Sequence, residues 1–321
     1  MNNHTTAPTT EFDIDPKLLK PLYKTNPFLH LRDIISNWMV IGFTMYFTAL
    51  FLHPILYVLA IFIIGARMHA LAILMHDASH FRFLKNRFWN DLITNFTIMY
   101  PVFTSIEVYR DNHLKHHRHL NSDHDPDWVA KLGNRHFTFP KTTKEFFITL
   151  MSYLVLYQGF MDAIWFLKRF SGSKNKKPTS AKQKVIKIGF YTVLFTTLFV
   201  TGCFKFYLLF WVVPYFSTFF MYQYIRSVAE HFGDLAYEND LSSSRTTKAN
   251  WLEQFFIAPH NVGYHLDHHL FPGVPYYHLP QLHALLLEQP EYQKKAHITQ
   301  GYTKGLLAEL SVGKHDIALV S

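Results

Sequence analysis

Long apolar stretches separated by polar segments dominate the pattern of residues along the chain. Residues 34–66 contain no Asp, Glu, Lys or Arg. A helix needs about 20 residues to cross a bilayer, so this stretch is long for a single crossing. His53 and Pro54 lie near its middle, and a proline disfavours helical geometry in the residue before it. The pattern predicts a membrane hairpin with helices over about 34–52 and 54–75.

A second pair of apolar stretches follows later in the chain. Residues 188–204 and 206–225 carry no charged side chain, and Lys205 separates them. Each stretch has close to the length of one crossing. The predicted fold class is an all-α integral membrane protein with four transmembrane helices in two hairpins. A soluble domain with four buried helices is the alternative, but soluble helices usually have a polar face and these stretches have none.

The distribution of basic residues predicts the orientation of the hairpins. Positive charge precedes both hairpins, whereas the predicted turns carry only Lys205. Because positively charged segments stay in the cytoplasm, we expect both termini there. The net charge of +8 then reflects topology and attraction to anionic lipid, and we expect no nucleic-acid partner. The basic residues before the hairpins are Lys17, Lys20, Lys24, Arg32, Lys168, Arg169, Lys174, Lys176, Lys177, Lys182, Lys184 and Lys187.

The rest of the chain is predicted to lie on the cytoplasmic side. We expect a cytosolic segment over 1–33, a membrane domain over 34–285 and a cytosolic tail over 286–321. The apolar stretch 146–167 contains polar residues and is predicted to lie along the membrane interface as an amphipathic helix. Residues 171–180 have the composition of a flexible loop. The N-terminal segment lacks the basic start and apolar core of a removable signal peptide.

Histidines are the most unusual feature of the composition, since the chain contains 21 of them. His76 and His80 are spaced by four, which places both on one face of a helix. An HxxHH pattern occurs twice, and His231 follows the fourth apolar stretch. All these groups fall on the predicted cytoplasmic side. The nine candidate metal ligands are His76, His80, His113, His116, His117, His231, His265, His268 and His269.

The residue types narrow the kind of metal site. Imidazole suits zinc, copper, iron and nickel, and nine ligands are too many for one ion, so we expect two ions with four to five ligands each. The single cysteine, Cys203, excludes a four-cysteine zinc site and a chain-borne iron–sulfur cluster. Asp77, Asp111, Glu230 and Asp267 could accept the second N–H of the imidazoles.

Ten other histidines are expected to be hydrogen-bonded surface residues. They are His4, His30, His53, His69, His124, His136, His278, His283, His297 and His315.

The histidine motifs resemble the histidine boxes of the membrane fatty acid desaturase superfamily. The resemblance covers roughly residues 34–285, and the stretch 270–277 is similar to bacterial acyl desaturase-like members. It implies a four-helix bundle under a cytosolic cap that holds two iron ions (Fe2+), with the nine histidines as ligands. His260 and Asn261 are possible water-holding residues. Some members have an asparagine four residues before the lone histidine, where this chain has Ser227.

The resemblance implies an O2-dependent oxidoreductase that introduces a double bond into a fatty acyl chain on a lipid, on coenzyme A or on acyl carrier protein. A lipid hydroxylase, an alkyne- or terminal-alkene-forming desaturase and a carotenoid ketolase belong to the same superfamily and stay open. A membrane zinc hydrolase and a metal transporter are more distant alternatives. The implied setting is a multi-pass protein of the bacterial inner membrane.

The resemblance also implies electrons from an external carrier, either ferredoxin or cytochrome b5 with its reductase. The chain has no GxGxxG motif for a flavin or nicotinamide nucleotide and no heme-binding histidine pattern. We therefore expect a separate protein donor, drawn to the cytoplasmic side by positive charge. The candidate docking residues are Lys85, Arg87, Arg110, Lys115 and Arg118.

Overall fold

The computed structural model describes residues 12–172 and 180–311, with side chains omitted for 167–172. The described chain is mostly helical, and its strands form one small parallel sheet. Strand β1 (Thr246–Lys248) pairs with β2 (Ile298–Gln300), with Thr246 opposite Ile298. The α-helices are α1 (Pro16–Leu22), α2 (Pro27–Phe51), α3 (Pro54–Ser79), α4 (Arg87–Thr94), α5 (Ile106–Arg118), α6 (Pro126–Lys131), α7 (Thr143–Leu154), α8 (Tyr157–Gly172), α9 (Ala181–Val200), α10 (Phe204–Tyr207), α11 (Phe220–His231), α12 (Trp251–Phe256), α13 (His265–Leu270), α14 (Leu279–Leu287), α15 (Pro290–Lys295) and α16 (Leu307–Ser311).

Four helical stretches among the described residues are long and apolar enough to cross a membrane, as the sequence predicted. They are Pro27–Phe51, Pro54–Ser79, Ala181–Val200 and Phe204–His231. The last of these contains two π-helical turns, at Leu208–Val212 and Tyr215–Phe219, between α10 and α11. The arrangement of these stretches as two membrane hairpins stays a prediction.

The bounds of the helices differ from the predicted ones because capping residues, and not charge alone, decide where a helix begins. The first begins at Pro27 and not near 34, since the side chain of Asn26 accepts hydrogen bonds from Phe28 N and Leu29 N. The third begins at Ala181 and not near 188, where Ser180 and Gln183 form a capping box. Arg32 and Asp33 in the first of these helices, and Lys182, Lys184 and Lys187 in the third, are therefore helical.

The segment around 146–167 is two helices, so the prediction of one amphipathic helix is wrong. Helices α7 and α8 are bent by 78° relative to each other. Leu156 lies between them with a φ of +69°, a left-handed conformation that a helix cannot continue through. Gly159 fixes α8 against the fourth apolar stretch, because a Cβ there would lie 1.8 Å from the carbonyl oxygen of Phe216.

The described part of the predicted tail, up to residue 311, packs against the residues around the end of α11. Glu309 of α16 forms an ion pair with the fully buried Arg245, with Nε and Oε2 3.0 Å apart. Arg245 Nη1 also donates to the carbonyl oxygens of Ala229 and Phe232 at 2.9 and 3.0 Å. These contacts hold the end of α11, so the C-terminal helix helps to fix the position of His231.

Candidate metal centre

Four helices bring the predicted ligands to one place. The end of α3 carries His76 and His80, and α11 ends at His231. Each of the short helices α5 and α13 carries one HxxHH motif. Because residues four apart lie on the same helix face, the first and last histidines of each HxxHH point in a common direction.

The nine histidines form two groups in which the candidate ligand atoms all lie within 4.8 Å of one another. In the first group His80 Nε2 and His117 Nε2 lie 2.9 and 3.0 Å from His113 Nε2. In the second group His265 Nε2 lies 2.8 Å from His231 Nε2. Five histidines form the first group, His76, His80, His113, His117 and His268, and four form the second, His116, His231, His265 and His269.

In each HxxHH motif, the second of the three histidines belongs to a different group from the other two. In the first motif His113 and His117 belong to the first group, whereas His116 belongs to the second. In the other motif the pattern is reversed, and His268 joins the first group. The groups are also neighbours, since the rings of His117 and His269 stack with centroids 4.3 Å apart. Each motif therefore contributes to both groups.

Two buried carboxylates orient histidines of the second group. Asp125 Oδ2 lies 2.8 Å from His116 Nδ1, and Glu230 Oε1 lies 3.2 Å from His265 Nδ1. Arg226 in turn donates from Nε to Glu230 at 2.6 Å. A carboxylate at Nδ1 fixes the ring and leaves Nε2 free to bind a metal. The role expected for Glu230 agrees with this geometry, whereas Asp125 was not among the carboxylates expected to orient ligands.

The other acidic residues expected to orient ligands have different partners. Asp111 is exposed and pairs with Lys115. Asp267 accepts hydrogen bonds from His283 Nδ1, at 2.9 Å, and from the hydroxyl of Tyr292. Asp77 accepts from the backbone N–H of Tyr276 at 3.3 Å. The prediction that Asp77, Asp111 and Asp267 accept the second N–H of a candidate ligand histidine is therefore wrong.

Burial favours the neutral form of five of the clustered histidines by lowering their pKa. Removal from water lowers the pKa of His113, His117 and His268 well below the ordinary value, and the neighbouring imidazoles lower it further. The same causes lower the pKa of His265 and His269. The neutral imidazole has a free lone pair and is the form that binds metals.

The site has the features of a metal centre. His76 Nε2 is buried and has no hydrogen-bond partner among the described residues, and its ring lies 4.4 Å from those of His113 and His268. A buried polar atom without a partner costs free energy, and a shared metal ion would satisfy it. Convergent neutral imidazoles suit iron as well as zinc, copper and nickel.

A small cavity lies beside both groups. Its walls include His76, His265 and His268 together with the apolar side chains of Ile73, Val262 and Leu279. Its volume is about 10 Å³, roughly the space of one water molecule, so an acyl chain could reach the metals only if the surrounding side chains moved.

Several histidines outside the two groups are buried, contrary to the prediction that they lie on the surface. His30 stacks on Phe83 with ring centroids 4.3 Å apart. His69 interacts with Gln223 Oε1 and with the carbonyl oxygen of Ile257 at 2.9 and 3.0 Å. Their partners are distant in sequence, so no local pattern marks them. His4 and His315 lie outside the described residues.

His260 and Asn261, named from the resemblance, occupy a strained turn beside the cavity. Both have positive φ, +53° and +57°, which is uncommon for residues other than glycine. His260 Nε2 lies 3.0 Å from Asn37 Nδ2, and Asn261 Nδ2 donates to the carbonyl oxygen of Tyr276 at 3.1 Å. Protein groups therefore already bind both side chains.

The basic residues considered for carrier docking are not equally accessible. The guanidinium of Arg110 binds both oxygens of Asp91 at 2.6 and 2.8 Å and stacks on Phe81, with its side chain only 12% exposed. Arg110 is therefore unsuitable for docking, and that prediction is wrong. Lys85, Arg87 and Arg118 are exposed.

Comparison with known proteins assigns the family. The family model described as Fatty acid desaturase matches residues 52–301. The chain belongs to the fatty acid desaturase family. It is therefore an oxidoreductase of the desaturase type, and its apolar helices agree with a membrane location.

The relatives of this desaturase include enzymes with different named substrates. It is 29% identical to a dihydrorhizobitoxine desaturase of Bradyrhizobium elkanii, over 80% of this chain and 75% of the relative. It is 24% identical to an sn-1 oleoyl-lipid 12-desaturase of Anabaena variabilis, over 82% and 83%. It is 22% identical to an sn-1 acyl-lipid omega-3 desaturase (ferredoxin) of Nostoc, over 87% and 82%.

Proposed function

We propose that this desaturase introduces a double bond into a fatty acyl chain, carried on a lipid, on coenzyme A or on acyl carrier protein, with O2 as the oxidant. The overall change is CH2–CH2 + O2 + 2 electrons + 2 H+ → CH=CH + 2 H2O. The observation that carries the proposal is the convergence of nine histidines into two adjacent groups.

Two iron ions (Fe2+) are the proposed metals, one in each group. The nine proposed ligands are His76, His80, His113, His116, His117, His231, His265, His268 and His269. Iron bound there would supply the redox chemistry that a reaction with O2 needs, whereas zinc has none. The imidazole set and the unpartnered His76 Nε2 support a metal at this position.

The residues around the groups have distinct proposed roles. Ile73, Val262 and Leu279 lie beside the candidate ligands and would exclude water from the reacting carbons once neighbouring side chains have moved to admit the acyl chain. Asp125 and Glu230 would accept Nδ1–H bonds and so hold the rings of His116 and His265. Errors of about 1 Å in the position of a reacting carbon matter, so rigid ring positions favour one product.

We propose that the electrons come from a separate protein, a ferredoxin or a cytochrome b5 with its reductase. The Nostoc relative is named a ferredoxin-dependent enzyme. Lys85, Arg87 and Arg118 are exposed and would attract an acidic carrier. Multiple turnovers of purified iron-loaded protein with NAD(P)H and O2, but without a carrier and reductase, would refute this part of the proposal.

The proposed location is the bacterial inner membrane, with two hairpins and both termini in the cytoplasm. The basic residues that precede each hairpin support this orientation. It places all nine histidines on one side of the membrane, within reach of a cytoplasmic carrier.

Mass spectrometry of lipids from a host that expresses the chain tests the function. We expect acyl chains that have lost two hydrogens in cells with the wild-type protein and not in cells with His268→Ala. His278→Ala is the matched control, because the His278 side chain bonds to Gln281 Oε1 outside the site, and it should keep activity. A gain of one oxygen without loss of hydrogen would identify a hydroxylase, and unchanged lipids with both proteins would contradict the proposal.

A further inference from the structure

A second cavity lies on the far side of the segment that leads into α13. It has a volume of about 120 Å³ and is lined by Lys248, Gln254, Asn261 and Tyr264 among others. Thr247 and Gly263 line one side of the cavity. They are held together because Thr247 N donates to the carbonyl oxygen of Gly263 at 2.8 Å. A Cβ on Gly263 would lie 2.4 Å from the carbonyl oxygen of Thr247. The cavity is therefore separated from the metal centre by a packed wall.

The lining of the cavity includes a lysine whose charge is not paired. Lys248 is half-buried, and its ammonium group has no ion-pair partner among the described residues. Gln254, Asn261 and Tyr264 add polar side chains to the lining. A cation beside a cavity with polar walls is suited to a small anionic group.

The helix that follows is exposed and apolar on its outer side. Trp251 is 74% exposed and Leu252 47% exposed. On the inner side Glu253 accepts from the backbone N–H groups of Tyr302 and Thr303 at 2.9 and 2.8 Å. These bonds fix α12 so that the two large apolar side chains point away from the protein.

The contact between α12 and α3 indicates how deep this apolar face would lie in a membrane. Arg67 donates from Nη2 to the carbonyl oxygen of Phe255 and stacks on its ring. Arg67 lies within the candidate span Pro54–Ser79. His76 is nine residues further along, which is about 13 Å at 1.5 Å per residue. The end of α12 thus lies closer to the middle of the span than the metal centre does.

We propose that the cavity beside Lys248 binds the phosphate of an anionic membrane phospholipid, whose acyl chains lie along Trp251 and Leu252. Tryptophan favours the membrane interface, and a lysine there can reach a headgroup while its stem lies among apolar groups. The site does not depend on the proposed reaction, since it needs neither metal nor electron donor.

Lipid binding to the purified full-length protein in detergent tests the site. Native mass spectrometry should detect phosphatidylglycerol on the wild-type protein and a roughly fivefold weaker affinity for Lys248→Gln, which equals the ~1 kcal/mol of one lysine at an anionic surface. Lys304 is an exposed lysine outside the cavity. The control variant Lys304→Gln should therefore bind phosphatidylglycerol as the wild type does. The proposal would be overturned if Lys248→Gln bound phosphatidylglycerol as tightly as the wild type does. It would also be overturned if the wild-type protein bound phosphatidylcholine as tightly as phosphatidylglycerol. Displacement of the lipid by equimolar inorganic phosphate would also overturn it, because the site would then recognise a free anion.

A spin label tests the membrane contact independently. Trp251→Cys in a Cys203→Ser background should carry a label that collides with O2 in the bilayer more often than with a water-soluble nickel chelate. A label at Lys304→Cys should show the opposite preference. The same nickel accessibility at both positions would place α12 in water and overturn the proposal.

Discussion

His268 Nε2 lies 3.1 Å from His117 Nε2, although 151 residues separate them. The two residues belong to different HxxHH motifs, so the contact joins α13 to α5 at the centre of the site. Together with the reverse placement of His116 beside His231, with ring centroids 4.7 Å apart, it makes the two proposed metal positions depend on each other. Loss of one histidine should therefore affect both positions.

Asp125→Asn should weaken metal binding. Asp125 is fully buried and its Oδ2 bonds to His116 Nδ1; an amide there cannot balance the charge of a metal-bound imidazole. Loss of such a partner typically costs 10–100-fold in metal affinity or activity. Asparagine can still cap α6, as Asp125 does through Oδ1, so folding should persist. Titration of the apoprotein with Fe2+ gives the affinity, and Asp123→Asn, at an exposed position, is the control. Equal affinities for both variants would remove Asp125 from the site.

Glu309→Gln should destabilise the packing of α16 against Arg245 and the end of α11. Arg245 is 0% exposed and Glu309 12% exposed at the side chain, and breaking a buried ion pair by removing one partner costs about 3 kcal/mol. We expect a lower free energy of unfolding and a lower thermal midpoint. Glu291→Gln removes an exposed carboxylate that pairs with Lys295 and should leave the midpoint unchanged. Identical midpoints for the two variants would show that α16 does not support the site.

Gly65→Ala should disturb the packing of α3 against the fourth apolar stretch. A Cβ at Gly65 would lie 2.0 Å from Thr218 Oγ1 and 2.9 Å from Phe219 N, and overpacking of this kind costs about 1–3 kcal/mol. Gly42→Ala is the matched control in α2, since nothing lies within 4 Å of its added Cβ. Thermal unfolding in detergent should be earlier for Gly65→Ala alone. A midpoint equal to that of Gly42→Ala would contradict the close approach of the two helices.

Much of the site can be predicted from the sequence, because the spacing of histidines within one helix is a local property. His76 and His80, or His113 and His117, share a helix face whatever the rest of the fold does. The exchange of His116 and His268 between groups depends on how α5 and α13 approach each other. No local pattern contains that information, so the sequence predicts two ions without assigning their ligands.

The features that the sequence did not predict depend on tertiary contacts in the same way. Asp125 precedes a proline and has the pattern of a turn, and only the tertiary structure brings its second oxygen to His116. The break between α7 and α8 lies at Leu156, a residue type that rarely adopts positive φ, so the sequence gives no sign of it. The four apolar spans are predictable because their length and lack of charge are determined by the bilayer itself.

The membrane orientation can be tested by cysteine labelling. In a Cys203→Ser background, His53→Cys and Lys205→Cys should react with a membrane-impermeant maleimide added to the outside of intact inner-membrane spheroplasts. Lys184→Cys, at an exposed position near the start of the third candidate span and before its uncharged stretch 188–204, should react only after permeabilisation. Labelling of all three only after permeabilisation would contradict the two-hairpin topology.

Metal content of the purified protein tests the central claim most directly. We predict two iron ions per chain by mass spectrometry of the metal, fewer in His268→Ala and two in the control His278→Ala. The reduction should accompany normal membrane insertion, since His268 lies in α13 outside the apolar spans. Two zinc ions without iron in the wild-type protein, or two iron ions retained by His268→Ala, would contradict a di-iron centre built from these nine histidines.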